Sequence, residues 1–451
     1  MPYEGEFAAY LPLQRIADSD QVKALLKRAK RALSESEGGK LPRPQVLPVA
    51  DSPLPDLVLA IDGSNAEVNV ANGYPGARVG YITVASVLLN LKLVDALDEY
   101  RPVDPVKFRT TEEAATRPAA LPGSNVVTRE HISARDSFRA ELYDLIHNAV
   151  VDDDDHARLI ETYEELLRYK PREKQQRCPY SYDGCEIRLS VPAGLTECPC
   201  SKRRAIFSTD ALRIHEGFRD DSSNGQALGE TMQVWEQLLL VHLLRCLEIR
   251  GMLEQAQKIA FFIDGPLAVF GHPAWLSAAI STELKRLNAE ARKLTGRDLT
   301  IIGIEKSGTF VDHFSDIDIV HGRDEPLFED RSFFMPNDDY IKQRIIYSAS
   351  EKRYGADTYF GRKFFYKTKN GSRIVANIPF LDDEQDSLLS SELSLYPQIP
   401  VICGLLDKLV SSRFENAVTP IVSAHAHAAI PLHLGEKVLK QLAAALMKDG
   451  K

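Results

Sequence analysis

An α/β fold is predicted by three observations: two apolar runs that each close in Asp-Gly, a long apolar helix between them, and strands alternating with helices after it. The first run is Leu57-Val-Leu-Ala-Ile followed by Asp62-Gly63-Ser64, and the second is Ile259-Ala-Phe-Phe-Ile followed by Asp264-Gly265-Pro266. Runs of this composition read as strands buried on both faces, and a glycine permits the turn that ends them. Both aspartates are therefore expected at strand ends, where the backbone leaves the core.

The remaining elements follow in chain order. Residues 10–37 read as a helical element, and Gly38-Gly-Lys-Leu-Pro-Arg-Pro through Pro53 and Pro55 as a linker that cannot continue a helix. Residues 1–54 are thus expected to precede a main domain at 55–435. Ala77 to Leu91 has the β-branched content of one long strand or two short ones. A polar stretch from Asp98 to Asn125 leads into helices at about 128–170, with Asp152 to Asp155 read as a solvated acidic surface. Residues 171–225, rich in Cys, Pro, Gly and charge, read as an insertion. A helix at about 227–250, the second Asp-Gly strand, a helix near 274–295 and the strand Leu299 to Glu305 complete the alternation, and residues 436–451 form a C-terminal helix.

The 451-residue chain has 44% hydrophobic residues and a net charge of −9, so contact with nucleic acid would require cations concentrated locally. The N-terminal Met1-Pro-Tyr-Glu-Gly-Glu-Phe carries neither the basic segment nor the apolar run of a secretory signal. The richest apolar stretch, Trp235 to Leu247, is interrupted by Glu236, Gln237, His242 and Arg245, which argues against a membrane span. A cytoplasmic protein is expected.

Glu236 shares a helix face with Leu239, Leu240, Leu243 and Leu247. A carboxylate in such a stripe is unfavourable unless it is paired, coordinates a cation, or sits near enough to a helix end to reach solvent. Asp-Gly alone is ordinary turn chemistry. Two such acids on buried strands, with an acid on a buried helix between them in sequence, instead suggest a centre for divalent metal. Acid on strand, acid on helix, acid on next strand is the arrangement of an RNase H-like core, in which neighbouring acids clamp two ions about 4 Å apart.

With Asp62-Gly-Ser64, Asp264-Gly-Pro266-Leu267, Gly303-Ile-Glu305-Lys306-Ser307 and Thr419-Pro-Ile-Val-Ser-Ala424-His425 in this order, the chain resembles the NurA nucleases over residues 55–435. The resemblance implies an RNase H-like core, manganese- or magnesium-dependent cleavage of DNA, a homodimer and a HerA-like hexameric ATPase as partner, in DNA end processing or phage defence. It implies that Asp62, Glu236 and Asp264 bind the metal and that His425 is a ligand or proton donor. Glu248 competes with Glu236 for the helical position. The family often has a tyrosine eight residues before that histidine; Ala417 stands here, so no catalytic tyrosine is assigned. A DNA-binding adaptor without activity, and a nuclease acting on RNA or hybrids, are the alternative readings.

Cys178, Cys185, Cys198 and Cys200 lie close together in the insertion, a pattern that reads as a structural zinc site. Cys246 and Cys403 sit among apolar residues as buried thiols. Residues 342–373 hold nine Lys or Arg against Glu351 and Asp357, interleaved with aromatics around Lys369-Asn370-Gly371-Ser372. This reads as a hairpin with a basic face, and Arg362, Lys363, Lys367 and Lys369, with Lys306, are the expected DNA contacts.

Overall fold

The computed structural model describes residues 11–29, 43–47, 53–70, 76–96, 110–128, 133–150, 157–319, 325–383, 393–411, 416–431 and 434–449. The acidic run at 152–155 and most of the linker from Gly38 lie outside them. Two compact units are present, Met1–Arg43 and Pro44–Lys451. The first contains two short helices, α1 (Leu11–Asp18) and α2 (Asp20–Arg28), with Ser19 capping the second; neither helix has a buried residue.

The second unit is built on one mixed sheet. Strands β1 (Gln45–Val46), β2 (Leu57–Asn69), β3 (Arg78–Asn90) and β4 (Glu112–Pro122) come before a cysteine-bearing lobe. The lobe carries two ribbons, β5 (Gln176–Arg177) with β6 (Arg188–Leu189), and β7 (Leu195–Glu197) with β8 (Ala205–Phe207). After it come β9 (Ile259–Asp264), β10 (Thr300–Glu305), β11 (Ser332–Phe334), β12 (Gly361–Lys367) and β13 (Arg373–Pro379). The nine-stranded order is β1-β11-β12-β13-β10-β9-β2-β3-β4. At its centre β2, β9 and β10 run parallel, while β2, β3 and β4 form an antiparallel meander.

Alternation along β9 shows why these residues form a central strand. Phe261 and Ile263 pack into one core cluster, Ala260 and Phe262 into the other. Each buried phenylalanine contributes about 1.5–3 kcal/mol of hydrophobic stabilisation. Four helices join the first core: α4 (Ala134–Asn148), α5 (Leu159–Arg168), α6 (Gly225–Ile249) and α7 (Leu276–Thr295). Two shorter helices of the C-terminal part, α9 (Ile399–Leu409) and α10 (Thr419–Ala428), cover the opposite face. Of the three others, α3 (Leu91–Asp95) joins the second core through Leu91, α8 (Thr309–Asp318) packs on Phe365 and Val375 of the sheet in a smaller cluster, and α11 (Leu434–Asp449) reaches β2. Among the described residues no helix is long and apolar enough to cross a membrane.

The lobe is fastened to the sheet domain through a buried ion pair. Arg139 of α4 makes two 2.7 Å hydrogen bonds to the carboxylate of Asp210 and a third, of 3.1 Å, to the Ala205 carbonyl. Tyr163 donates to the Ser208 carbonyl and Trp275 to that of Ala211. A pair this dry fixes position more than it adds net stability.

Two expectations are corrected. The first Asp-Gly does not end its strand: β2 runs on to Asn69, and Gly63 pairs with Val84 of β3. Only the parallel pairing with β9 stops there, at Ile61 opposite Ile263. The polar stretch before Asn125 contains β4, an edge strand with mostly exposed side chains and Pro118 in its middle, which the sheet tolerates because one side of the strand has no neighbour.

Candidate active site

The parallel register of β2 and β9 sets Ile61 opposite Ile263, so Asp62 and Asp264 leave the pairing side by side. β9 ends at its aspartate because Gly265 adopts φ +85, a left-handed conformation that glycine reaches without strain. Glu236 arrives from α6, the helix packed on β2. Gly63 admits it: a Cβ at this position would overlap the Glu236 carboxylate and come within 2.7 Å of Met232 Cγ. His425, on α10, places Nδ1 3.0 Å from Asp62 Oδ2, and Lys306, just past β10, places Nζ 3.0 Å from Asp264 Oδ1 and 3.8 Å from Asp62 Oδ2.

Charge is crowded here. Burial raises Glu236 well above the ordinary carboxylate range, and Asp62 and Asp264 raise it further against the Gly63 N–H and Lys306. Asp62 is pushed up to about 6, first by burial and then by Asp264, with Lys306 and His425 opposing. Among the described residues the buried Asp264 Oδ1 takes no hydrogen bond, and the Lys306 ammonium stands 3.0 Å from it. Three acids with an unsatisfied oxygen and one lysine between them form a donor set suited to a hard divalent cation. The three carboxylates are nevertheless not drawn to within 4.8 Å of one another; among the described residues only a cysteine group is that tight. A cleft of about 520 Å³ opens over the acids, lined also by Gly63, Phe270 and Gly271.

Glu248, three turns beyond Glu236, makes two 2.7 Å bonds to Arg286 and takes no part in the acid cluster. Lys306, expected as a phosphate contact, lies inside the centre as the counter-ion of two aspartates. Sequence carries no signal for that role, because a lysine after a strand reads as solvated.

The basic hairpin is corrected. β12 and β13 do turn through Lys369-Asn370-Gly371-Ser372, but β12 lies between β11 and β13 and all seven of its residues are buried. Lys363 pairs with Glu305, Lys367 with Asp318, and Arg362 bonds the Tyr396 hydroxyl and the Pro336 carbonyl. All three side chains are enclosed within the fold, the two lysines against carboxylates and Arg362 against neutral oxygens, which argues against direct contact with DNA. Lys369 is exposed at the turn.

In the lobe Cys178, Cys185 and Cys198 bring their sulfurs together, with Cys178 Sγ 3.4 Å and Cys185 Sγ 3.8 Å from Cys198 Sγ. Cys200 falls outside this tight trio but lies near enough to Cys198 and Cys185 for them to lower its pKa, and none of the four is in a disulfide. His215 is buried against Asp210 and Glu216 pairs with Arg213, so both have structural partners.

Fold and site together define a mixed α/β protein in which adjacent parallel strands present two aspartates to a helical glutamate and a histidine. The family model described as the NurA domain matches residues 56–430, and the chain belongs to the NurA family. The crystal structure of the NurA nuclease from Sulfolobus solfataricus is similar at 11% identity, covering 98% of this chain and 98% of that one with a TM-score of 0.38. A second NurA crystal structure is 10% identical over 97% and 95% with a TM-score of 0.28, and one of NurA with manganese is 13% identical over 96% and 94% with a TM-score of 0.26. No curated protein matches the chain.

Proposed function

We propose that this chain is a divalent-metal-dependent DNA nuclease that hydrolyses phosphodiesters, with Asp62, Glu236 and Asp264 holding manganese or magnesium in a two-metal centre. The observation that carries the proposal is the convergence of these acids and His425 at the end of the β2/β9 parallel pairing. Membership of the NurA family supports it, and the strand order β4-β3-β2-β9-β10, an antiparallel meander joined to two parallel strands, supports an RNase H-like core. The cations would supply the positive charge that activates a water and steadies the leaving oxygen. His425, 57% exposed, is oriented by its bond to Asp62, and its other ring nitrogen can exchange a proton with that oxygen. Lys306 neutralises the two aspartates and can turn to a substrate phosphate once metal takes its place.

The four-cysteine group would hold a structural zinc, stapling a lobe whose own core is one small cluster that includes Cys178 and Cys198. A HerA-like hexameric ATPase and a second copy of this chain are the proposed partners, as the family resemblance implies. The test is cleavage of end-labelled single- and double-stranded DNA with manganese, with magnesium and with EDTA. Cleavage that requires the metal is expected; no cleavage of either substrate under any condition would overturn the reading.

A further inference from the structure

Burial of the hairpin cations leaves the path of the substrate open, and a different part of the molecule has the charge for it. A groove of about 800 Å³ lies between the cysteine lobe and the start of α7, lined by Lys170, Lys174, Arg177, Arg188, Arg213 and Trp275. Among the described residues Glu216 is the one acid in its lining, and it is held by Arg213 at 2.7 Å. None of the other four cations has a carboxylate partner among the described residues. Lys170 Nζ donates to Gln176 Oε1 at 2.9 Å and to the Ala211 carbonyl at 3.0 Å, with the Trp275 ring 4.9 Å away. Arg188 donates to the Gln175 carbonyl at 3.0 Å. Lys174 and Arg177 are exposed, and their side chains have no hydrogen-bond or ion-pair partner among the described residues.

Five cations gathered around a single acid, in a protein of net charge −9, repel one another until an anion enters. Burial chiefly, and then Arg213, bring the Lys170 pKa down to about 8 against the pull of Glu216. The groove also adjoins the acid cleft. Gly271 lines both, and at the join His272 Nδ1 sits 3.0 Å from Glu230, itself a wall of the cleft.

We infer that this groove binds the phosphodiester backbone of a single nucleic-acid strand and leads it to Asp62, Glu236 and Asp264. The inference rests on the nuclease reading for where the strand goes, but not for whether it binds. Spaced cations along a concave track are suited to successive phosphates, and a concavity of this volume encloses a short stretch of strand rather than a duplex.

The test measures binding of a fluorescent mixed-sequence single-stranded DNA to full-length protein in EDTA, across a salt series, so that no turnover enters. The groove variant carries Lys174→Gln, Arg177→Gln and Arg188→Gln; the control variant carries Lys258→Gln, Lys293→Gln and Lys352→Gln and has the same net charge. The groove variant should bind roughly tenfold more weakly at low salt, with the slope of log affinity against log salt smaller by about 2, near 0.7 for each phosphate no longer neutralised. The control should match the parent. Circular dichroism and zinc content equal to the parent's confirm that the lobe is folded in both. Equal affinity and slope in the two variants, or no binding by the parent, would overturn the inference. A parent that binds through the groove yet never cleaves with manganese would instead remove the nuclease reading and leave the groove standing.

Discussion

His425 Nδ1 lies 3.0 Å from Asp62 Oδ2, and the aspartate is only 3% exposed while the histidine is 57% exposed. One partner is thus fixed in the sheet and the other faces solvent. This suits a division of roles in which Asp62 holds a cation and orients the ring, and the ring exchanges protons with what enters the cleft.

Asp62→Ala, Glu236→Gln and Asp264→Ala are each expected to reduce cleavage on the order of a thousandfold or more. His425→Ala should cost about 10²–10⁴-fold, the range of a lost general acid. Glu248→Gln should stay near the parent, since that side chain serves Arg286. The check is single-turnover cleavage with manganese; full activity in Glu236→Gln together with inactivity in Glu248→Gln would reassign the helical ligand.

Gly63→Ala adds one methyl where the Glu236 carboxylate stands. Activity should fall as steeply as in Glu236→Gln, whereas Gly296→Ala, at a helix end with no neighbour within 4 Å of the added carbon, should change only stability. Manganese titration by calorimetry would show whether the Gly63 variant fails at metal binding.

Lys363→Met leaves the Glu305 carboxylate buried without its cation, held by the Asn377 amide, and should destabilise the fold by about 3–5 kcal/mol. Adding Glu305→Gln should recover much of that stability. Denaturant melts of the two variants provide the measurement; a Lys363→Met protein as stable as the parent but weak in DNA binding would return this lysine to the substrate path.

His215 is buried, and burial with Arg139 nearby brings its pKa from 6.5 down to about 4, against the pull of Asp210. The unfolded chain therefore takes up a proton as pH falls through 6.5 while the folded chain does not until about 4. Stability from this residue is present above pH 6.5 and is lost over that window, by on the order of 3 kcal/mol. His215→Gln should flatten this part of the stability–pH curve, and melts at pH 7 and pH 5 decide it.

Cys178→Ser with Cys185→Ser is expected to release zinc and lower the melting temperature, with activity lost only as the lobe unfolds. Elemental analysis of the parent comes first, and protein free of zinc would sink the structural-site reading.

The sequence carried the acids and their elements because each depends on local chemistry. β9 and α6 are apolar enough to be buried, and an acid within such a run is visible by contrast. The strand order was not legible, since pairing β2 with β9 joins segments some two hundred residues apart. The hairpin shows the limit from the other side. Lys363 and Lys367 alternate with aromatics as solvated cations would, and only the fold reveals that Glu305 and Asp318 meet them inside. β4 was missed because an edge strand needs neither apolar alternation nor freedom from proline.

Asp62 and His425 are 363 positions apart, with Glu236 and Asp264 between them. Ribosomes deliver the chain from its N-terminus. A nascent protein that has emerged as far as residue 400 can already own its three acids and its cysteine lobe, yet it still lacks the histidine. The centre is completed only when α10 settles on the sheet near the end of synthesis. An unfinished or prematurely released chain would therefore be disarmed by the order of its own residues, a useful property for a proposed nuclease that is synthesised in the presence of the cell's own DNA.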